Sequence, residues 1–274
     1  FNWGYDPKHF SVPDGIYASN PDGVMRIKEM RAMIKGLHDT GLRVVLDVVY
    51  NHTYQFGLKE KSVLDKVVPN YYHRLNVITG GVEQSTCYTC GNTATERVMM
   101  AKLMSDSLVV WARDYKIDGF RFDLMGHQEK NAMLAAREAV REVDADTYFY
   151  GEGWGRSDQG YEQAAQYQMA DTEVGTFNDR PRDIIRNASL FNDAASLNEQ
   201  DIMRLGLSGT LQDYQLQNKD GVIESGKNFS QSSYAKDPAD IINYVSKHDG
   251  STLWDKLQYG LASDMSVDDR VRAQ

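Results

Sequence analysis

An α/β protein with a parallel sheet or barrel is the fold class this sequence predicts, and three observations carry the prediction. Helical and strand-like patterns alternate along the chain, the strand-like runs are apolar and often β-branched, and several of them close on an ionisable group. Alternation of this kind marks β-α-β units, in which a helix returns the chain so that the next strand lies parallel to the last. With 274 residues, 41% of them hydrophobic and 25% charged, the chain has enough apolar material for one large core or two smaller ones.

The elements follow in order. VMRIKEMRAMIKGLHDTG, residues 24–41, carries Ile27, Met30, Ile34 and Leu37 at helical spacing, and Gly41 supplies a stop. LRVVLDVVY, residues 42–50, follows directly as a β-branched run, the pattern of a strand covered on both faces. A long loop is expected to about residue 94, then a helix from about 95 to 115 with Val98, Leu103, Leu108 and Trp111 among its apolar positions. That helix leads into IDGFRFDLMG, residues 117–126, as a strand. QEKNAMLAAREAVREV (128–143) reads as helix and TYFYGEG (147–153) as strand. DIINYVSKHD (240–249) reads as a further strand after a polar stretch from about 212 to 240. The sequence has no repeat of fixed period, no low-complexity run and no clear linker.

Composition narrows the function classes. The net charge is -9 and no cluster of Lys and Arg could track a phosphate backbone, which argues against nucleic acid as a partner. No run of about 18 apolar residues is present and the first residues lack a charged-then-apolar leader, so neither a membrane span nor a signal peptide is expected in this stretch. The two cysteines, Cys87 and Cys90, form one CxxC in the loop STCYTCGNT. A local disulfide, two free thiols and a metal site are all open, in that order, because zinc would need further ligands that no neighbouring segment offers at the usual spacing.

The strand at 117–126 raises a question of cost. A buried guanidinium or carboxylate is unfavourable by several kcal/mol unless it is paired or used. Strand alternation puts Phe120, Phe122 and Leu124 on one face and Gly119, Arg121 and Asp123 on the other, so Arg121 and Asp123 point the same way. Asp47 interrupts the earlier strand, Glu152 closes YFYGE, and His248 with Asp249 closes YVSKHD. Ionisable groups gathered at the C-terminal ends of several parallel strands are the distribution of a catalytic site in a barrel.

These residues resemble a known family. DVVYNH (47–52), DGFRFD (118–123), GEGW (151–154) and YVSKHD (244–249) are similar to the four ordered signature regions of the α-amylase superfamily of glycoside hydrolases, family 13. NWGYDP (2–7) resembles the motif of type I pullulanases, which cleave α-1,6 branch links, and SVLDKVVPNYYHRLN (62–76) with DYKIDGFRFDLMGH (114–127) resembles the Gram-negative bacterial kind. The resemblance spans essentially the whole chain. It implies a (β/α)8 TIM barrel, of which residues 1–274 would be a fragment covering roughly strands 3 to 7, with strands one, two and eight absent. It also implies an α-glucan substrate, secretion or a cell-envelope location, and chemistry that needs no cofactor, with a structural calcium left open.

The resemblance further implies roles. Retaining glycosidases use two carboxyl groups about 5 to 5.5 Å apart, one as nucleophile and one as acid then base. Asp123 would be the nucleophile, kept ionised by Arg121, and Asp47 would pair with Arg121 and fix it. Glu152 would be the acid, then the base, kept protonated by an apolar setting beside Trp154 and by a nearby carboxylate. Asp249 would hold substrate hydroxyls as a third carboxylate, His52 and His248 would donate hydrogen bonds to the same sugar, and Tyr5 and Trp154 would contact it, Tyr5 as a stacking face. Plainer readings stand beside these: Arg121 with Asp47 as a structural ion pair, His52 as a strand cap, Trp3 and Tyr5 as core aromatics, Trp154 as packing. Asn51 resembles a calcium ligand of many amylases, but pullulanases differ there and it is not assigned as one. Gly250 stands where these pullulanases usually have Asn, and Phe1 where they have Tyr. The alternatives are an isoamylase or α-amylase with another bond preference, or a non-catalytic glycan-binding relative.

Overall fold

The computed structural model of the chain describes residues 3–84, 90–155, 160–186, 196–229 and 233–274. Phe1 and Cys87 lie outside the described residues. The chain divides into two compact units, Phe1–Gln168 and Met169–Gln274.

In the first unit the order is α1 (Met25–Asp39), β1 (Val45–Val48), β2 (His52–Thr53), α2 (Leu64–Val67), β3 (Gly91–Asn92), α3 (Val98–Tyr115), β4 (Gly119–Phe122), α4 (Lys130–Arg141) and β5 (Tyr148–Gly151). Helix α1 turns Ile34 into the protein and ends where the sequence predicts. Gly41 sits at φ +80°, its N–H bonds the His38 carbonyl and the Leu42 N–H bonds that of Leu37, a left-handed stop that a side chain would strain. Strands β1, β4 and β5 form an open parallel sheet with β4 in the middle. Phe120, Phe122 and Phe149 pack with ring centroids 5.1 to 6.5 Å apart. Met100, Met104, Leu108 and Trp111 of α3 and Met133, Ala136 and Val140 of α4 are buried as well.

The expectation that residues 42–50 form a strand covered on both faces is corrected. Among the described residues β1 is the edge of its sheet, with Val45 46% exposed and Leu42, just before it, 56% exposed. No described strand pairs with its outer edge. Helix α3 begins at Val98 rather than about 95, and Val98 is exposed.

The 51–94 loop is pinned by buried polar contacts. His73 bridges Asp65 (Nδ1 to Oδ2, 2.9 Å) and Thr53 (Nε2 to Oγ1, 2.8 Å), while Arg74 forks onto Glu96 at 3.0 and 2.8 Å. Bonds to ionised groups of this kind hold a loop without an apolar core of its own.

The second unit contains β6 (Gly175–Asn178), α5 (Asp179–Arg186), α6 (Leu197–Leu207), β7 (Gln215–Gln217), β8 (Ile223–Ser225), β9 (Ile241–Asn243), α7 (Leu253–Gly260) and α8 (Val267–Ala273). Strands β6 and β9 pair in parallel, and β7 with β8 form a short antiparallel hairpin within the polar stretch. Buried Asp240, just before β9, accepts four backbone N–H bonds, from Asp171, Glu173, Lys236 and Asp237, at 2.8 to 3.1 Å. Among the described residues no helix is long and apolar enough to cross a membrane.

Candidate active site

Sheet register assembles the first unit's charged cluster. Asp47 of β1 stands opposite Arg121 of β4, and Arg121 opposite Tyr150 of β5, so one row across three strands holds an acid, a guanidinium and a phenol. Arg121, 6% exposed, is the hub. Its Nη1 bonds Asp47 Oδ1 at 2.8 Å and Asp123 Oδ1 at 3.3 Å, and its Nη2 pairs with Glu152 Oε1 at 2.9 Å. The structural pairing of Arg121 with Asp47 and its place beside Asp123 are therefore both present. A buried cation among three carboxylates is the condition under which its own burial becomes tolerable.

Local backbone geometry sets the two carboxyl groups. Asp123 follows β4 directly, its N–H bonding the Val48 carbonyl, and Leu124 then turns at φ +40°. That turn aims the Leu124 N–H at Glu152 Oε2, 2.9 Å away. Glu152 follows β5 and is 3% exposed. Gly126 accepts the close passage of the next strand end, because a Cβ there would lie 2.1 Å from the Trp154 carbonyl oxygen. Gly151 is similarly constrained, at 2.5 Å from the Phe122 oxygen.

The setting of Glu152 differs from the one the sequence suggests. The sequence reading places it in an apolar setting beside Trp154 with a carboxylate nearby; the nearby carboxylate is Asp123, while in place of an apolar wall the group meets a guanidinium and a backbone N–H, both partners for the charged form. Trp154 is half-buried. The Asp123 carboxyl, in contrast, is pushed up from the ordinary aspartate range, by burial first and by the charge of Glu152 second, against the pull of Asn51 and Arg121. Arg121 therefore does not outweigh the cost of burying that charge.

Asn51, which the sequence reading weighs only as a calcium ligand, has a contact with Asp123 that sequence reasoning missed. Its Nδ2 donates to the Asp123 carbonyl at 2.7 Å and to Asp123 Oδ2 at 2.9 Å. The signal available was its place directly between the DVV strand and His52, which puts it beside the end of a neighbouring strand. Because the amide nitrogen is committed to two acceptors, its Oδ1 is what faces His52 Nδ1, and that ring nitrogen must carry the hydrogen. Burial also pushes the His52 pKa down. Neutral His52 then presents Nε2 as a bare acceptor, where the sequence reading has it donating to a sugar.

Tyr5 is held more firmly than a free stacking face would be. Its hydroxyl donates to Asp47 Oδ2 at 2.5 Å and Arg121 lies 5.8 Å from its ring centre. Burial and the Asp47 contact push its pKa up, so it stays a phenol and a donor. Trp3 is 61% exposed and is no core aromatic.

His248 and Asp249 belong to the second unit. Strand β9 stops at Asn243, so strand parity does not apply to them, and both are exposed. Lys247 Nζ is 3.7 Å from Asp249 Oδ2. Gly250 has φ +77°, and a Cβ on it would lie 3.1 Å from Arg186 Nη2. Asn, the usual residue of the resembled family, is the side chain that best tolerates such a backbone after Gly.

Cys90 is disulfide-bonded, the first of the three readings of the CxxC. Its partner in that reading, Cys87, lies outside the described residues.

No protein-family profile matches the chain. Individual proteins do. Over 308 aligned residues it is 44% identical to a pullulanase of Klebsiella aerogenes, covering 100% of this chain and 28% of that protein. It is 39% identical to a chloroplastic pullulanase of Arabidopsis thaliana, covering 99% of the chain and 32% of the relative. Among solved structures, a Klebsiella pneumoniae pullulanase complexed with maltotriose superposes with a TM-score of 0.93 at 44% identity, over 100% of this chain and 29% of that one. A type I pullulanase of Bacillus subtilis complexed with maltose gives 0.82 at 31% identity, over 100% and 37%. The chain thus spans about a third or less of the curated relatives named here.

Proposed function

The chain is homologous to pullulanases from end to end, and we propose that it carries the catalytic centre of a retaining glycoside hydrolase acting on α-1,6 branch links of pullulan, starch or glycogen-type glucans. The observation that supports this best is the meeting of Asp123 and Glu152, from the ends of adjacent parallel strands, on one buried guanidinium. A retaining mechanism needs such a pair, one carboxylate attacking the anomeric carbon and one carboxylic acid protonating the leaving oxygen.

Asp123 forms the glycosyl ester and Glu152 delivers, then recovers, the proton. Three carboxylates around one cation leave an excess of negative charge, and holding one proton relieves it. Substrate binding would have to bring that proton to Glu152 and loosen its contact with Arg121, leaving the guanidinium to Asp123 and Asp47. Asn51 steadies Asp123 from the other side. In the same proposal Asp249 and His248 hold substrate hydroxyls, while Tyr5, His52 and Trp154 line the sugar site. The 274 residues contribute roughly strands 3 to 7 of a (β/α)8 barrel, as one partial domain of a secreted or cell-envelope protein. The chemistry needs no cofactor, and any calcium would be structural.

Product analysis tests the reading. Pullulan should yield maltotriose and branched glucan should be debranched, while linear amylose should be cut poorly. Fast random cutting of amylose would move the assignment to an amylase. Binding of glucan without release of reducing ends would favour the non-catalytic relative.

A further inference from the structure

Beside the carboxylate cluster, Asp6, His52 and Cys90 bring three different donor atoms within 4.8 Å of one another. His52 Nε2 is 3.8 Å from Asp6 Oδ1, and Cys90 Sγ is 3.9 Å from the same oxygen. His52 and Cys90 are buried, and Asp6 opens the group to solvent. Among the described residues no partner lies within hydrogen-bond geometry of the buried His52 Nε2, and the Asp6 carboxylate stands just beyond it. Since Nδ1 must hold the ring hydrogen against Asn51, a lone pair on Nε2 faces a carboxylate oxygen, an arrangement that a cation would relieve.

The donor set is nitrogen, oxygen and sulfur, which suits zinc. Bonds of about 2.0 to 2.3 Å in tetrahedral geometry place ligand atoms about 3.3 to 3.8 Å apart, so the three need close by only about an ångström or less. What prevents the site from forming is the oxidation state of Cys90. Its sulfur is in a disulfide, and a thiolate is what binds the metal.

From this arrangement we infer that reduction of the Cys90 disulfide opens a binding site for zinc or a similar divalent cation on Cys90, His52 and Asp6. A dithiol reductant supplies two electrons and two protons, the S–S bond breaks to give two thiols, and the reductant closes to its own disulfide. On metal binding the Cys90 thiol releases its proton to water. The thiolate, the neutral imidazole Nε2 and the Asp6 carboxylate take three positions, and water takes the fourth. The bound cation fixes His52 and adds positive charge near Asp123, so reduction in the presence of zinc withdraws one residue of the proposed sugar site.

Cobalt(II) is the probe, because a thiolate bound to it gives a sulfur-to-cobalt charge-transfer band. Cys87→Ser leaves Cys90 as a thiol without any reductant, since these are the chain's only cysteines. The expected result is a charge-transfer band in air for Cys87→Ser and after dithiol treatment for the unsubstituted protein, with no band for the oxidised protein. Adding Asp6→Asn or His52→Gln to Cys87→Ser should weaken cobalt binding at least about tenfold, as loss of a metal-site partner does. Asp6 is exposed, so its conservative variant tests the site without disturbing a core. Absence of a band in Cys87→Ser would overturn the inference. So would equal affinity with and without Asp6 and His52, which would leave the cysteine sulfur as the sole ligand.

Discussion

As the proposed nucleophile, Asp123 would have to be charged in a place that resists charge. Burial and the nearby Glu152 raise its pKa, while Asn51 and Arg121 pull the other way and lose. The sign for stability follows. A carboxyl whose folded-state pKa lies above its unfolded value binds its proton more tightly when folded, so its contribution to stability falls as pH rises through that window. Asp123→Asn should therefore abolish turnover while glucan still binds, and should also raise stability near neutral pH by about 0.5 to 2 kcal/mol. Thermal scans should show the gain shrinking as pH falls through the raised folded-state range and gone below about 4, where an unfolded aspartate is protonated too. A variant that turns over normally, or is less stable at pH 7 than at pH 4 relative to its parent, contradicts the assignment. Asn51 acts through Asp123 and is a positioning residue. Asn51→Ala removes two donors from Asp123 and should lower kcat roughly tenfold to a hundredfold with little change in KM, about the worth of one bond to a charged group. The acid limb of the pH profile should move to higher pH, because a hydrogen bond that favoured the ionised form is gone. A merely structural asparagine would not shift that limb.

The elements show which signals a sequence carries and which it hides. Arg121, Asp123 and Asp47 were legible because strand period and the cost of burying charge are local rules, and the register puts Asp47 beside Arg121 as those rules require. Gly41 was legible as a helix stop for the same reason. The tautomer of His52 was not, because it depends on which way the Asn51 amide faces, and that is decided by Asp123, 72 residues further along the chain. Edge exposure of β1 was hidden as well, since a β-branched run looks alike whether or not a neighbour covers it. The cage around Asp240 is a further case: four N–H groups from residues 171 to 237 converge on a carboxylate that reads in sequence as an ordinary turn residue. Asp240→Ala should cost at least about 3 kcal/mol, since each buried donor left unpaired costs about 1 to 3. Asp240→Asn should cost less, because Oδ2 accepts three of the four bonds and a single amide oxygen can keep them. Urea unfolding of both variants gives the comparison, and a loss below about 1 kcal/mol for the alanine would show the cage to be incidental.

At the scale of the whole molecule the exposed margin of β1 matters most. A strand of this composition with an unpaired edge offers backbone donors and acceptors to any second strand that approaches, and natural sheets guard such edges with lysine, proline or a covering element. Here Leu42 and Val45 are exposed on and just before β1, and neither is a guard residue. The chain of 274 residues by itself should therefore associate with rising concentration and turn over pullulan far more slowly than a relative several times its length, although Tyr5, Asp47, Arg121, Asp123 and Glu152 are already in contact through one hydrogen-bonded chain. Tyr5 in particular is not loose, since its hydroxyl is anchored on Asp47. Any shortfall in turnover would therefore have to come from the sheet edge or from parts of the sugar site other than this cluster. Leu42→Lys with Val45→Lys separates these causes. Light scattering should show less association, because two cations on an edge repel a second copy. Activity should stay low if sugar contacts are what is lacking, and should recover if aggregation was hiding a competent site. Unchanged association in the double variant would show that some other surface is responsible and that β1 is not the exposed edge that governs this chain.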